Sequence, residues 1–365
     1  MINDLDRSTI SRRQMLRALG IAAVAGPAGA FAQGRCGGPN AGTPQCNTTP
    51  FAPPFAATGW KTVVLDHFNL KVVDLEKEAA FYNALMGWNV RSNDGKTIVM
   101  DMGTLGRAMM TGGLEVPTPA PAPAPPAGNA AAGGRGGGRG GPRRAVWDSF
   151  CWGIEPWDTN KVEAELKKRG LNPVADHRGN DFFSFHVKDP DGFDLQISNG
   201  NKKNRRMPPM SARLNIAPPF ESTGWQTYYL DHISFEVTSY KESVAFYQAL
   251  LGWKSNGDEG SQSDVEISPE IGRVLIRGGN ANAPGGVNTS ARRAQMGHIA
   301  FDIVDFDPDK VKDALLKRGL NAREDTGATP ESPPAEHDIH TATHKSYHTT
   351  TPNGYDLQIS YRAKR

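Results

Sequence analysis

Residues 52–88, APPFAATGWKTVVLDHFNLKVVDLEKEAAFYNALMGW, align without a gap on residues 217–253, APPFESTGWQTYYLDHISFEVTSYKESVAFYQALLGW, with about half the positions identical. A match this long at one fixed offset marks a tandem duplication. Two further blocks agree: DPDGFDLQIS at 189–198 returns as TPNGYDLQIS at 351–360, and VEAELKKRGLN at 162–172 returns as VKDALLKRGLN at 311–321. Within each half the hydrophobic period switches from two to about 3.6 and back, twice. In the first half this predicts a strand over Thr62 to Val73, a helix over Leu75 to Met86, short strands over Lys96 to Met102 and Arg107 to Thr111, then a strand over Trp147 to Ile154 and a helix over Asn160 to Arg169. The second half reads alike, with helices over Lys241 to Leu251 and Asp307 to Arg318. The fold class is therefore α+β, with four βαβββ units paired into two domains.

Working outward, residues 1–32 form a leader to be set aside before fold reasoning. Arg12 and Arg13 precede an apolar run from Ile21 to Ala32 that ends on the small-x-small site Ala30-Phe31-Ala32, which resembles a twin-arginine signal peptide. The run is too short for a permanent membrane anchor, so the expected location is periplasmic or extracellular. The remaining segments are a mature N-terminal stretch 33–59, a first domain 60–200, a linker 201–224 and a second domain 225–365. Residues 117–144, rich in Pro and Ala and then in Gly and Arg, cannot bury a core and read as a flexible linker inside the first domain. An oxidising compartment would let Cys36 and Cys46 pair, leaving Cys151 for a buried strand position. A formal charge of +2 argues against a strongly electrostatic partner, and no nucleic-acid role is expected. A small-molecule substrate is expected, and the formation of a homo-oligomer stays open.

The stretch HTATHKSYHTTTPNGYDLQ, residues 340–358, gathers three histidines, a Pro-Asn-Gly turn and an amide. If Pro352, Asn353 and Gly354 form a hairpin loop, with Gly354 in the left-handed conformation, Thr351 faces Tyr355 and His348 lies opposite Gln358. His340, His344 and His348 share one parity, so an unbroken strand would aim all three at one face, though too far apart to meet at one centre. His337 and His344 read as solvated loop residues. Trp60, Trp225, Phe81, Tyr82, Phe246 and Tyr247 read as core and edge packing.

Paired βαβββ units, a first strand reading LDHxxxxV, a helix with AFYxALxGW and a closing strand with DPDGFDLQI resemble the vicinal oxygen chelate superfamily, which includes glyoxalases, extradiol dioxygenases and bleomycin resistance proteins. The resemblance implies two cup-shaped domains and a divalent metal, Fe(II) or Mn(II), held in the second half by His232 of LDHISF, His298 of MGHIAF and Gln358 of GYDLQIS. The superfamily usually has glutamate where Gln358 stands. The first half carries His67, Ser149 and Gln196 at these positions, and Ser149 leaves it one strong ligand, so that half is expected to be structural or a ligand-binding shell. Extradiol dioxygenases also have a closing signature onto which His340 and His348 fall, with His177 and His186 at the corresponding first-half places. His340 and His348 are therefore the expected catalytic residues. The function implied is a metal-dependent enzyme acting on a small oxygen-bearing, catechol-like substrate, with ring cleavage favoured. A glyoxalase-type lyase or isomerase, and a metal-free protein binding an antibiotic or aromatic compound, are the alternatives.

Overall fold

A computed structural model of the chain describes residues 51–115, 144–178, 181–201, 212–258, 262–278, 294–326 and 338–362. The leader, Cys36 and Cys46, His337 and the Pro/Ala insertion up to residue 143 lie outside the described residues.

The first half runs β1 (Lys61–Val72), α1 (Leu75–Met86), β2 (Asn89–Asn93), β3 (Thr97–Met102), β4 (Gly106–Thr111), then β5 (Ala145–Glu155), α2 (Thr159–Lys168), β6 (Val174–Ala175), β7 (Ser184–Lys188), β8 (Asp194–Ser198). The second half repeats it as β9 (Thr227–Glu236), α3 (Tyr240–Leu251), β10 (Lys254–Asp258), β11 (Gln262–Ser268), β12 (Gly272–Arg277), β13 (Gln295–Ile303), α4 (Pro308–Lys317), β14 (Arg323–Asp325), β15 (His344–Thr350), β16 (Asp356–Arg362). These are the four expected βαβββ units. Each half folds into one eight-stranded mixed sheet, ordered β2-β3-β4-β1-β5-β8-β7-β6 and β10-β11-β12-β9-β13-β16-β15-β14. The first strands of the two units pair antiparallel at the centre, β1 on β5 and β9 on β13.

Local chemistry places the helices. Asp158 and Asp307 accept hydrogen bonds from the backbone N–H groups of Lys161 and Lys310, capping α2 and α4. Helices α1 and α3 stop at Gly87 and Gly252, both left-handed at φ 68° and 71°. These two glycines also serve the contact between halves. A Cβ on Gly87 would meet the Trp225 carbonyl at 2.2 Å, and one on Gly252 the Trp60 carbonyl at 2.4 Å. Next in sequence, Trp88 donates its indole N–H to Thr227 Oγ1 at 2.9 Å, and Trp253 donates to Thr62 Oγ1 at 2.9 Å. Each half thus plugs a tryptophan into its copy.

One hydrophobic cluster runs through both halves. Trp88 lies edge-on to Phe301 at 5.2 Å, Trp152 to Trp253 at 5.4 Å, and Trp147 to Tyr355 at 5.3 Å, while Phe150 is 5.8 Å from Phe235. The aromatic residues read as packing behave so: Trp60, Phe81, Tyr82, Phe246 and Tyr247 are buried and Trp225 is partly buried. Cys151 is buried on β5, as expected.

The two closing turns seal the seams between halves. At one, Tyr247 donates to Asp189 at 2.8 Å, and Ser243 and Thr238 donate to Asp191. At the other the carboxylate has changed sides: Glu78 of α1 accepts from the side chain and backbone N–H of Asn353 at 2.8 and 3.1 Å. Burial lifts both carboxyls, Glu78 above its ordinary value and Asp189 from 3.8 to about 6.

A carboxyl whose pKa is higher folded than unfolded binds its proton more tightly in the fold, so the stability it adds is full at low pH and is lost as pH rises from about 4 to about 6. Replacing Asp189 with Asn removes that titration. The Asp189→Asn chain should gain on the parent as pH is raised from 4 to 6.5, by of order 3 kcal/mol. Urea unfolding of both chains across that range checks this, and a difference that does not change with pH refutes it.

Candidate metal centre

The face of each sheet opposite the aromatic core carries a row of polar side chains on laterally paired positions, which share one side of a sheet. In the second half the row runs Glu266, Arg273, His232, Ala300, Gln358, His348, Arg323 across β11, β12, β9, β13, β16, β15 and β14. In the first it runs Asp101, Arg107, His67, Cys151, Gln196, His186, Val174. The predicted hairpin register is present: His348 is paired with Gln358, Gly354 has φ 80°, and Thr351 N–H donates to the Tyr355 carbonyl at 2.9 Å.

The residue before each strand histidine, Asp66 or Asp231, is skipped by the β1–β5 and β9–β13 pairing, so it sits at an irregularity and can turn beside its neighbour. Asp66 Oδ1 lies 2.9 Å from His67 Nδ1, and Asp231 Oδ2 lies 3.3 Å from His232 Nδ1. A carboxylate on Nδ1 fixes the tautomer with its proton there, leaving Nε2 as a lone-pair donor. In the second half that atom meets a partner: His232 Nε2 and His298 Nε2 are 2.9 Å apart, with the rings nearly perpendicular. Burial lowers the pKa of both, and any positive charge on the neighbouring His232 or His348 would press His298 further, so that it lies well below the ordinary value. Both imidazoles are thus held neutral, as metal ligands must be.

Gln358 is buried in the same row, separated from His232 only by the methyl group of Ala300. Its Nε2 donates to Ser346 Oγ at 2.8 Å, and its Oε1 is buried with no hydrogen-bond partner among the described residues. An orphaned amide oxygen costs free energy unless something meets it. Two neutral imidazoles and a carbonyl oxygen form a donor set that fits a divalent first-row ion.

Asp231 organises this end of the sheet. It is fully buried and is met by Arg273 Nη2 at 2.7 Å, Ser360 Oγ at 3.0 Å and His344 Nδ1 at 3.6 Å. Burial alone would raise its carboxyl, but His344 and Arg273, with the bond to His232, hold it well below the usual carboxylate range. His344 was expected to be solvated. It instead opens β15, keeps only 14% of its side chain exposed and lies 6.4 Å, ring to ring, from His232. Asp231, Arg273 and His344 were missed by sequence reasoning, although LDH in both repeats was a signal for the Asp-His pair.

The strand does not run unbroken from His340 to His348. β15 begins only at His344, and His340 sits on a surface turn with its side chain 55% exposed, 3.7 Å from Asp309. His348 is buried between two carboxylates, its Nδ1 2.9 Å from Asp356 and its Nε2 3.1 Å from Asp325. Both nitrogens can donate only in the imidazolium form; although burial opposes it, these two bonds raise the pKa. Its ring lies 5.0 Å from that of His298. His186 repeats the arrangement, 2.7 Å from Asp194 and 3.5 Å from Asp176, while His177 accepts from the Ser184 backbone N–H.

In the first half, Ser149 stands where His298 does, and Asn69 donates to its hydroxyl at 2.9 Å. His67 Nε2 and Gln196 Oε1 are both buried without a hydrogen-bond partner among the described residues.

No protein-family profile matches the sequence, and no curated protein does. Solved structures do. The chain is similar to the Mn(II)-bound glyoxalase from Novosphingobium aromaticivorans (TM-score 0.53, 15% identity, covering 82% of each chain). It is similar to a catechol 2,3-dioxygenase (0.54, 13%, covering 83% of this chain and 89% of that one). It is also similar to homoprotocatechuate 2,3-dioxygenase from Arthrobacter globiformis (0.52, 16%, covering 85% and 84%). At such identities the likeness is one of architecture: four βαβββ units in two domains.

Proposed function

We propose that the second half is a divalent metal centre with His232, His298 and Gln358 as ligands, taking Fe(II) or Mn(II), and that it acts on a small, catechol-like substrate by ring-cleaving dioxygenation. The observation that carries this reading is the approach of the His232 and His298 Nε2 atoms to 2.9 Å beside the partnerless oxygen of Gln358. A divalent ion there supplies Lewis acidity toward two adjacent substrate oxygens and, as iron(II), electron transfer to dioxygen. The chain's own residues do the rest. Asp231, backed by Arg273, aims the His232 lone pair. His348 holds a proton at Nε2 against Asp325, whose side chain is 45% exposed and can swing away to present that proton to a bound substrate. His340, turned to the surface, has no part in this set.

A metal-free binding protein is the second reading, favoured by one observation: neutral Gln358 and Gln196 stand where an anionic ligand would balance the metal's charge. A lyase or isomerase would use the same three ligands, and product analysis separates it from a dioxygenase.

Gln358→Glu should tighten Mn(II) binding by restoring an anionic oxygen, and Gln358→Leu should abolish it, with His232→Ala and His298→Ala as controls. Calorimetric affinities unchanged in both Gln358 variants would remove the residue from the ligand set. Loaded anaerobically with Fe(II) and then given catechol and air, the chain should consume one dioxygen per catechol and yield an opened-ring product. A loaded protein that consumes no oxygen with any catechol tested would leave the ring-cleavage reading untenable, and one that takes up no metal hands the site to the binding-protein reading.

We also propose export by the twin-arginine route, on the strength of Arg12 and Arg13 before the apolar run. Changing both to Lys should leave the precursor uncut in the cytoplasm, as judged by fractionation and mass. Normal processed protein in the periplasm would end this proposal.

A further inference from the structure

We propose that the first half holds a second metal site, different in kind from the one in the second half, built from His67 Nε2, Cys151 Sγ and Gln196 Oε1, with Asp66 holding the imidazole through Nδ1, and taking a borderline-soft divalent ion such as Zn(II). Asp66, His67 and Cys151 are all buried and bring a carboxylate oxygen, an imidazole nitrogen and the thiol sulfur within 4.8 Å of one another. Cys151 is the lateral neighbour of His67 on one side and of Gln196 on the other, so the three side chains share the polar face. His67 Nδ1 already faces Asp66, which leaves Nε2 as a buried nitrogen with no hydrogen-bond partner among the described residues. Gln196 leaves its Oε1 in the same condition on the far flank of the cysteine. Two buried, partnerless polar atoms flanking a thiol are a costly arrangement unless a ligand joins them.

The duplication shows what changed. At the position of Cys151 the second half has Ala300, and the second strong ligand comes instead from the next pair along the strand, His298. In the first half that next pair is closed by the bond between Asn69 and Ser149. The same strand thus delivers its ligand two residues later in the first half, as sulfur in place of nitrogen.

Ligand chemistry then selects the ion. Thiolate with imidazole and an amide oxygen, backed by a buried carboxylate, favours Zn(II) over Mn(II) or Mg(II), which prefer oxygen throughout. Charge agrees with this choice. A thiolate and a carboxylate buried together carry two negative charges, and a divalent cation brings the group to neutrality, which a buried site requires. Binding displaces the Cys151 thiol proton to solvent, and no oxidant or reductant is involved.

The test uses Co(II) as the probe on the full chain, carrying Cys36→Ser and Cys46→Ser so that Cys151 is the only thiol of the three, and His232→Ala with His298→Ala so that the second-half site is absent. Titration should give a thiolate-to-cobalt charge-transfer band that saturates at one equivalent and is bleached by Zn(II). Cys151→Ala, which copies the second half, should lose the band while the far-ultraviolet circular dichroism is kept. X-ray absorption on the Zn(II)-loaded parent, expected to find one sulfur ligand, serves if that variant fails to fold. No band in the parent, a band that survives Cys151→Ala, or a zinc shell without sulfur overturns the proposal. Because the second-half histidines are already removed, none of these outcomes depends on the function proposed for that half.

Discussion

Everything in this molecule depends on the burial of one aromatic face shared by two copies of the same sequence. Phe150, Trp147 and Trp152 of the first sheet lie against Phe235, Tyr355 and Trp253 of the second half, and neither set could be exposed alone without a large apolar penalty. The reciprocal bonds from Trp88 to Thr227 and from Trp253 to Thr62 fix the relative position of the copies. With one face committed to the core, only the opposite face is left for polar chemistry. That is why His232, His298, Gln358 and His348 gather on that face of the second sheet.

Duplication left the copies free to diverge, and they have done so by paired exchange. At the seams a carboxylate sits on the turn in one copy (Asp189, Asp191) and on the helix in the other (Glu78), each time facing a neutral partner. On the polar face, Ser234 beside His298 in one copy becomes Asn69 beside Ser149 in the other. Each exchange keeps a hydrogen-bonding capacity while moving the bulk or the charge across the contact. A single unpaired change in a buried polar layer would leave an unsatisfied group costing about 1–3 kcal/mol.

Buried charge is handled by neutralisation. Asp231 is surrounded by Arg273, His232 and His344, and Arg273 reaches Asp264 as well. His348 and His186 each stand between two carboxylates. These clusters hold the rings in one orientation, so the neutral pair His232 and His298 has a rigid surround. His348, between its two carboxylates, lies one ring from this pair, 5.0 Å from His298.

The sequence by itself determined the architecture. Periodicity marked α1 to its last residue and the ends of the other helices to within one residue, and the repeats alone required two equivalent domains, because such signals are local and short-range sterics enforce them. The hairpin register from Gly354 was legible for the same reason: a three-residue turn leaves one pairing, so His348 had to face Gln358. What only the tertiary structure decided is which side chains meet. His232 and His298 lie 66 residues apart, and their approach is set by the pairing of β9 with β13 and its irregularity at Asp231. His344 enters the site because β15 starts there and not at His340, and Cys151 stands beside His67 because β1 and β5 pair in that register. Contacts of this kind depend on a slip of one residue between strands distant in sequence, and no local pattern encodes it.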